Sequence, residues 1–118
     1  MRYEDTSAAL LEAVPEARDP YAQLKDEWTG ESPGPTIVFE DVLKPLLVSM
    51  TAKSPPEDLK RVFHFLEALA KDPDSRVNDL VAYALYDLVH DSGASRKAKR
   101  YMGSATRKIS RRVERGEG

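Results

Sequence analysis

The chain has 118 residues, of which 41% are hydrophobic and 32% are charged, and its formal net charge is −2. This length predicts one domain over residues 1–118, and the composition suffices for a buried core, which argues against a disordered chain. Cysteine is absent, which excludes a disulfide framework, a thiolate zinc site and a cysteine nucleophile. Charged residues or proline interrupt every apolar stretch, and the first residues are acidic and polar. We therefore expect neither a membrane span nor a secretory signal, and predict a cytoplasmic protein.

Charge is distributed unevenly along the chain. Residues 95–118 contain nine basic and two acidic residues, whereas residues 1–94 contain nine basic and 18 acidic residues. Like charges must be kept apart or be met by opposite ones. The asymmetry therefore predicts either a charged partner or docking of one part of the chain on the other.

Two short helices are predicted at the start of the chain. The first covers residues 7–14 and ends before Pro15, because the residue before a proline avoids the α region. The second covers residues 19–28, and its apolar face has helical spacing: Tyr21, Leu24 and Trp28. A loop rich in glycine, serine and proline follows over 29–35.

The stretch over 36–53 has two interpretations. Residues 37–39 are typical of a strand, whereas the residues from Asp41 onward are typical of a helix. A lone strand of three residues has no partner strand elsewhere in the sequence. We therefore predict a helix that begins between Thr36 and Asp41, with Pro45 in its early turns or at a kink.

Four further helices are predicted over 55–71, 73–91, 95–102 and 104–115, and a frayed tail over 116–118. Ser54, Asp72 and Ser104 are placed as N-caps, because a short oxygen-bearing side chain accepts a hydrogen bond from a free N–H of the first turn. The connection between the helices 55–71 and 73–91 is so short that these two helices must be antiparallel neighbours.

One segment resembles part of a known repeat. Residues 72–89, DPDSRVNDLVAYALYDLV, are similar to the second helix of a HEAT-type repeat, with its Asp, its Arg-Val and its later Ala-Leu. The chain has room for two such helix pairs, and a free-standing solenoid needs at least three. The predicted fold is therefore all-α, a compact HEAT-like bundle of six to seven helices, with an ordinary irregular bundle as the alternative.

No catalytic or metal site is predicted. His64 lies three residues before Glu67 and His90 lies three residues after Asp87, so each pair shares a helix face. A zinc site needs three or four ligands, however, and no pattern in the sequence joins the two pairs. The glycines form neither a phosphate-binding loop nor a nucleophile elbow. We therefore expect no metal, no cofactor and no enzyme.

The polar side of the helix over 73–91 carries the candidate partner-binding residues. At about 100° per residue, these lie opposite or beside the apolar stripe of that helix: Asp79, Tyr83, Tyr86, Asp87 and His90. Two interpretations remain open. The helix is central and buries both of its sides, or its tyrosines and acids form a protein-binding ridge.

The basic segment over 95–115 offers an alternative function. Phosphate contacts are made by such side chains, so nucleic acid is a possible partner through Arg107, Lys108, Arg111 and Arg112. Against this, the chain is acidic overall and Tyr101 is the one aromatic residue nearby that could stack on a base. The helix over 104–115 has an apolar seam of only three residues, which is too narrow for binding to a membrane surface. We expect the helix over 104–115 to dock on the rest of the chain through this seam, which consists of Ala105, Ile109 and Val113.

Two further motifs carry a resemblance to a family: Phe39-Glu40-Asp41-Val42 with Pro45-Leu46, and Lys99-Arg100-Tyr101-Met102-Gly103 followed by Thr106. Over about residues 10–110, the chain resembles a family of small bacterial all-helical proteins of uncharacterised function. The shared residues are packing and capping residues. Members often end in an aromatic residue, whereas this chain ends in Arg-Gly-Glu-Gly.

Some proteins that look like this are suspected of being immunity proteins of polymorphic toxin systems. The resemblance therefore implies a non-catalytic protein that neutralises a toxin by binding it. A basic toxin domain is the expected partner, because the acidic part of the chain would attract it. In that case the residues expected to bind the toxin are those of the ridge and four acids from other segments: Asp26, Glu27, Glu40 and Asp41. A general adaptor or regulatory scaffold is the alternative.

Overall fold

The computed structural model describes residues 1–28 and 31–116, and in these two ranges the chain forms seven helices and no strand. In chain order they are α1 (Thr6–Ala13), α2 (Arg18–Glu27), α3 (35–53), α4 (Pro56–Ala70), α5 (Ser75–Val89), α6 (Ser92–Ala98) and α7 (Ser104–Glu114). The predicted all-α bundle of six to seven helices is confirmed. The likeness to HEAT repeats stays a prediction.

The stretch with two interpretations is helical throughout. It begins as an α-helix at Pro35, widens into a π-turn over Phe39–Leu43, and continues as an α-helix from Lys44. In the π-turn the N–H of Lys44 donates to the carbonyl of Phe39, five residues earlier. Pro45 directly follows and has no N–H to donate to the carbonyl four residues before it, so the regular ladder is interrupted at this point. Residues 29–30 of the predicted loop lie outside the described residues.

None of the three predicted N-caps is correct, and the reasons for Ser54 and Asp72 lie in the turns around α4 and α5. Helix α4 begins one residue after Pro55, and no side chain caps it, so Ser54 is not its cap. Helix α5 is capped by Asp74, whose carboxylate accepts the N–H of Arg76 at 2.9 Å. Asp72 instead accepts the N–H of Asp74 at 3.0 Å within the preceding turn, so its carboxylate is already engaged. The sequence indicated that an aspartate caps α5, but the conformation of the turn determines which of the two aspartates does so.

Helix α5 lies at the centre of the fold and packs against α3, α4, α6 and α7. The predicted apolar stripe of α5 is fully buried: Val77, Leu80, Val81, Ala84, Leu85 and Leu88. Each large apolar side chain that is buried in this way stabilises the fold by about 1.5–3 kcal/mol. The stripe fixes the rotation of α5, and therefore fixes which of its residues face away from the core.

Two polar side chains hold the helices in register. Asn78 of α5 donates through Nδ2 to the carbonyls of Leu69, Ala70 and Asp72, at 2.9, 3.2 and 2.9 Å. These carbonyls belong to the end of α4 and the turn that follows. One amide group therefore links α5 to the end of α4. Arg61 of α4 makes a bidentate contact with the carboxylate of Glu16, with the closer N···O distance at 2.8 Å.

Helix α7 docks on the bundle through the predicted seam. Ile109 and Val113 are buried, and Ala105 is half-buried. The predicted frayed tail includes residues 117–118, which lie outside the described residues. Over 1–28 and 31–116, no helix is both long enough and apolar enough to cross a lipid bilayer.

Candidate protein-binding surface

A groove lies where α3, α5 and the end of α7 meet, and it is called the tyrosine groove below. It has a volume of about 510 Å³ and is lined by Glu40, Lys44, Asp79, Ala82, Tyr83, Tyr86, Val113 and Gly116. Four of the predicted partner-binding residues are therefore brought together: Glu40, Asp79, Tyr83 and Tyr86. Helix α5 contributes its polar side, because its apolar stripe is turned to the core.

The exposure of the two tyrosines decides between the two interpretations of α5. Tyr83 is 39% exposed and Tyr86 is 54% exposed, although the stripe on the opposite side of the same helix is fully buried. Helix α5 thus does not bury both of its sides, and that interpretation is wrong. The tyrosines form part of an accessible surface, and their use in binding a protein stays a prediction.

The charged groups of the tyrosine groove are not paired with one another. Glu40 is half-buried and Asp79 is exposed, and within the described residues neither carboxylate has a cationic partner within 4.0 Å. The Nζ of Lys44 lies 6.0 Å from the ring centroid of Tyr86, at the limit of a cation–π contact. The groove therefore offers two free carboxylates beside a ring that already accepts a cation.

His90 and Asp87 are exposed on α5 but do not line the tyrosine groove. The ring of His90 lies 4.6 Å from that of Tyr86, centroid to centroid. Its Nδ1 is 2.7 Å from the carbonyl oxygen of Tyr86, and because a carbonyl can only accept, Nδ1 carries the hydrogen. His90 thus caps the end of α5 and packs in a tilted arrangement against the Tyr86 ring. Asp87 projects from the same helix without a hydrogen bond or ion pair in the described part of the chain.

The other predicted acids lie elsewhere on the molecule. Asp41 is exposed in the π-turn of α3, outside the tyrosine groove. Asp26 lines a separate shallow groove at the end of α2 together with Trp28, and Glu27 is exposed beside it. Trp28, which was expected on the apolar face of α2, is 36% exposed. Asp26, Glu27 and Asp41 therefore do not join the residues of the tyrosine groove.

The four basic residues that were proposed for nucleic acid are all exposed on α7: Arg107, Lys108, Arg111 and Arg112. They do not form one uniform face. Arg107 and Arg111 line a groove between α7 and the turn that follows α6, and Lys108 and Arg112 do not. Arg107 also donates from Nη2 to the carbonyl of Lys99 at 2.8 Å.

Helix α7 is positioned by Glu67, which was considered above only as the neighbour of His64 in a metal site that was rejected. The carboxylate of Glu67 on α4 accepts the N–H groups of Ala105 and Thr106, at 3.1 and 2.8 Å, and the hydroxyl of Thr106 at 2.7 Å. Ser104 is therefore not the N-cap of α7, because Glu67 occupies that position from another helix. Gly103 leaves room for this contact, since a Cβ at its position would lie 2.6 Å from Oε1 of Glu67 and would displace the carboxylate.

The electrostatics of Glu67 follow from these contacts. Burial tends to raise its pKa, but the hydrogen bonds from Thr106 and Ala105 and the ammonium group of Lys71 outweigh burial, and the pKa is lowered from its ordinary value of 4.5. Glu67 is thus ionised at neutral pH and serves as an anionic cap at the positive end of α7. The position of α7 in turn sets one wall of the tyrosine groove, through Val113.

Sequence reasoning also missed Lys44 and the wall formed by Val113. Lys44 lies four residues after Glu40, a spacing that places two residues on one face of a helix, so the presence of both in one groove had a signal in the sequence. Nothing local indicated that α7 would approach the polar side of α5. Among the residues the structure describes, no group of three or more His, Asp or Glu side chains is arranged to hold a metal ion. The tyrosine groove combines aromatic and charged groups, which suits recognition of another molecule.

Comparison with known proteins identifies a family. A domain of unknown function, DUF7674, matches residues 7–118. No curated protein matches the chain with significance. No solved structure matches it with significance either. Because the family match covers nearly the whole chain, this protein belongs to the DUF7674 family.

Proposed function

We propose that this protein acts by binding another protein through the tyrosine groove. The observation that carries the proposal is the exposure of Tyr83 and Tyr86 on the central helix of the fold, beside the unpaired carboxylates of Glu40 and Asp79. Tyrosine is enriched among the residues that dominate binding energy at protein interfaces. The buried stripe of α5 holds the backbone that carries this pair, and a tyrosine side chain has only two χ angles to fix on binding, which favours affinity.

The partner that fits this surface is basic. Residues 1–94 carry 18 acidic and nine basic residues, so the field of this part of the chain attracts a cationic protein and speeds its association. Within the groove, a guanidinium or ammonium group would meet the two carboxylates and the tyrosine rings. We further propose that the protein is an immunity protein, which neutralises a basic toxin domain in the cytoplasm. This finer role rests on the acidic excess over residues 1–94 and on the resemblance described above. A general adaptor is the alternative.

The test is affinity capture with matched variants. A tagged full-length chain, its Asp79→Lys variant and its Asp87→Lys variant are incubated with nuclease-treated lysate of the native host, and bound proteins are identified by mass spectrometry. Both substitutions reverse one exposed charge on α5, but only Asp79 lines the tyrosine groove. A partner that is held by the wild type and by Asp87→Lys, but lost with Asp79→Lys, supports the proposal. Equal capture by all three chains refutes the groove as the binding surface.

Truncating a tyrosine tests the same surface without changing charge. Removing the ring of Tyr86 is expected to weaken binding of the captured partner by about thirtyfold, the effect of losing a central interface residue. Isothermal titration calorimetry measures this with purified components, and circular dichroism shows that the exposed substitution leaves the fold intact. A change of less than about threefold is the loss of a peripheral contact and contradicts the proposed role.

The immunity role has its own readout. If the captured partner inhibits growth when it is expressed alone, coexpression of the wild-type chain restores growth, and coexpression of Asp79→Lys does not. A captured partner that does not inhibit growth supports the alternative function, that of a general adaptor. If nucleic acid is recovered from untreated lysate and all captured proteins are lost after nuclease digestion, the result supports binding of nucleic acid through the basic residues of α7.

A further inference from the structure

A second groove, called the basic groove below, lies between α7 and the turn that follows α6. It has a volume of about 280 Å³ and is lined by Lys99, Met102, Arg107, Ser110 and Arg111. A water molecule occupies about 30 Å³ in the liquid, so the groove has room for a tetrahedral oxyanion together with some of its hydration. It lies on different residues from the tyrosine groove, and the proposed function does not use it.

The charge in the basic groove is largely uncompensated. Arg107 and Arg111 are one turn apart on α7, and within the part of the chain that is described neither lies within 4.0 Å of a carboxylate oxygen. The hydrogen bond from Arg107 to the carbonyl of Lys99 holds its guanidinium at the rim of the groove. Lys99 alone has an anionic neighbour, with its Nζ 3.6 Å from a carboxylate oxygen of Glu114. Such an exposed pair is weak and is readily rearranged.

The second observation concerns Ser110, which is independent of the charge. The residue is 2% exposed, and its buried hydroxyl has no hydrogen-bond partner among the described residues. A buried polar group that lacks a partner is rare, because leaving it unpaired costs free energy. Ser110 lies between Arg107 and Arg111 on the wall of the basic groove. A hydroxyl at this position can donate to an anion that the two guanidinium groups hold.

We infer that the basic groove binds a phosphate group, with Arg107 and Arg111 as its cationic ligands and Ser110 as a hydroxyl donor. Guanidinium groups match the geometry of phosphate oxygens and form paired, charge-assisted hydrogen bonds with them. The phosphate comes either from free inorganic phosphate or from a phosphate ester such as a nucleotide. Lys108 and Arg112 stand outside the groove and contribute only to the general field.

The experiment is a titration of the full-length, isotopically labelled chain with sodium phosphate, followed by NMR at constant ionic strength set with sodium chloride. The expected result is a saturable set of shifts confined to residues 99–111, with an affinity in the millimolar range. Arg111→Gln weakens binding about tenfold, the effect of losing a charged hydrogen-bond pair. Arg112→Gln removes the same charge from the same helix outside the groove, and weakens binding less than about twofold.

Two further arms complete the test. Ser110→Ala keeps the fold, as judged by its unchanged NMR spectrum away from the site, and weakens binding about threefold through the lost donor. Titration with adenosine monophosphate distinguishes the sources: tighter binding than that of phosphate indicates an ester ligand, and equal binding indicates the free anion. Equal losses in Arg111→Gln and Arg112→Gln would overturn the inference, because they would show a diffuse basic surface. Absence of saturable shifts with both probes would overturn it as well.

Discussion

Replacing Glu67 removes the side chain that joins α4 to the beginning of α7. The carboxylate accepts two backbone N–H groups and the hydroxyl of Thr106, which is fully buried. Loss of a helix cap costs about 0.5–2 kcal/mol, and a buried donor that is left unpaired costs about 1–3 kcal/mol. Because the two costs overlap, we expect Glu67→Ala to lower the free energy of unfolding by about 2–3 kcal/mol.

This loss is large enough to measure by thermal and urea denaturation. For a chain of this size it corresponds to a fall in Tm of roughly 8–12 °C. Glu67→Gln keeps an acceptor of similar shape but removes the charge, so we expect a smaller loss of about 1 kcal/mol. Glu12→Ala is the control, since Glu12 is exposed and makes no hydrogen bond or ion pair in the described residues. It should change stability by less than about 0.5 kcal/mol.

The dependence on pH gives a sharper test of the same reasoning. The pKa of Glu67 in the folded chain is lowered from its ordinary value of 4.5, so its charge stabilises the fold fully above that ordinary value. The stabilisation is lost as the pH falls through the lowered pKa. The difference in free energy of unfolding between wild type and Glu67→Gln should thus be constant from neutral pH down to about pH 5, and shrink below it. A difference that does not change with pH would refute the account of Glu67 as an anionic cap.

Two further predictions concern the joints of the bundle. Gly103→Ala is expected to cost about 1–3 kcal/mol, because its Cβ would displace the Glu67 carboxylate. In urea denaturation, the double variant with Glu67→Ala should lose much less than the sum of the single losses, and additive losses would contradict this contact. Asn78→Asp removes the donor to three carbonyls and places a negative charge beside them. At pH 7 its free energy of unfolding should be lower than that of Asn78→Ala. A higher value for Asn78→Asp would show that the amide does not link α5 to the end of α4.

Much of the fold was predictable because its signals are local. The apolar stripe of α5 has helical spacing, and every member of it is buried. The short connection before α5 forced an antiparallel pair. The N-caps were not predictable, because a serine or aspartate before a helix is only one available acceptor. At α7 the acceptor is Glu67, which lies 38 and 39 positions away from the N–H groups that it receives.

The candidate surface was predictable only in part, for a related reason. Periodicity assigns Tyr83 and Tyr86 to the side of α5 that is opposite its stripe, but it does not tell whether another helix covers that side. It also does not tell which distant acids lie nearby: Glu40 lines the tyrosine groove, whereas Asp26 lines another groove. Such proximity follows from the packing of helices that are remote in the chain.

The cap from Glu67 has a consequence for how the chain folds. A helix of 11 residues is marginal by itself in water, and α7 has no side-chain cap of its own. We therefore expect its formation to depend on α4 being in place, and this long-range contact to form late in folding. In native-state hydrogen exchange, the amides of Ala105 and Thr106 should open together with the interface between α4 and α7, as parts of one cooperative unit, instead of fraying independently.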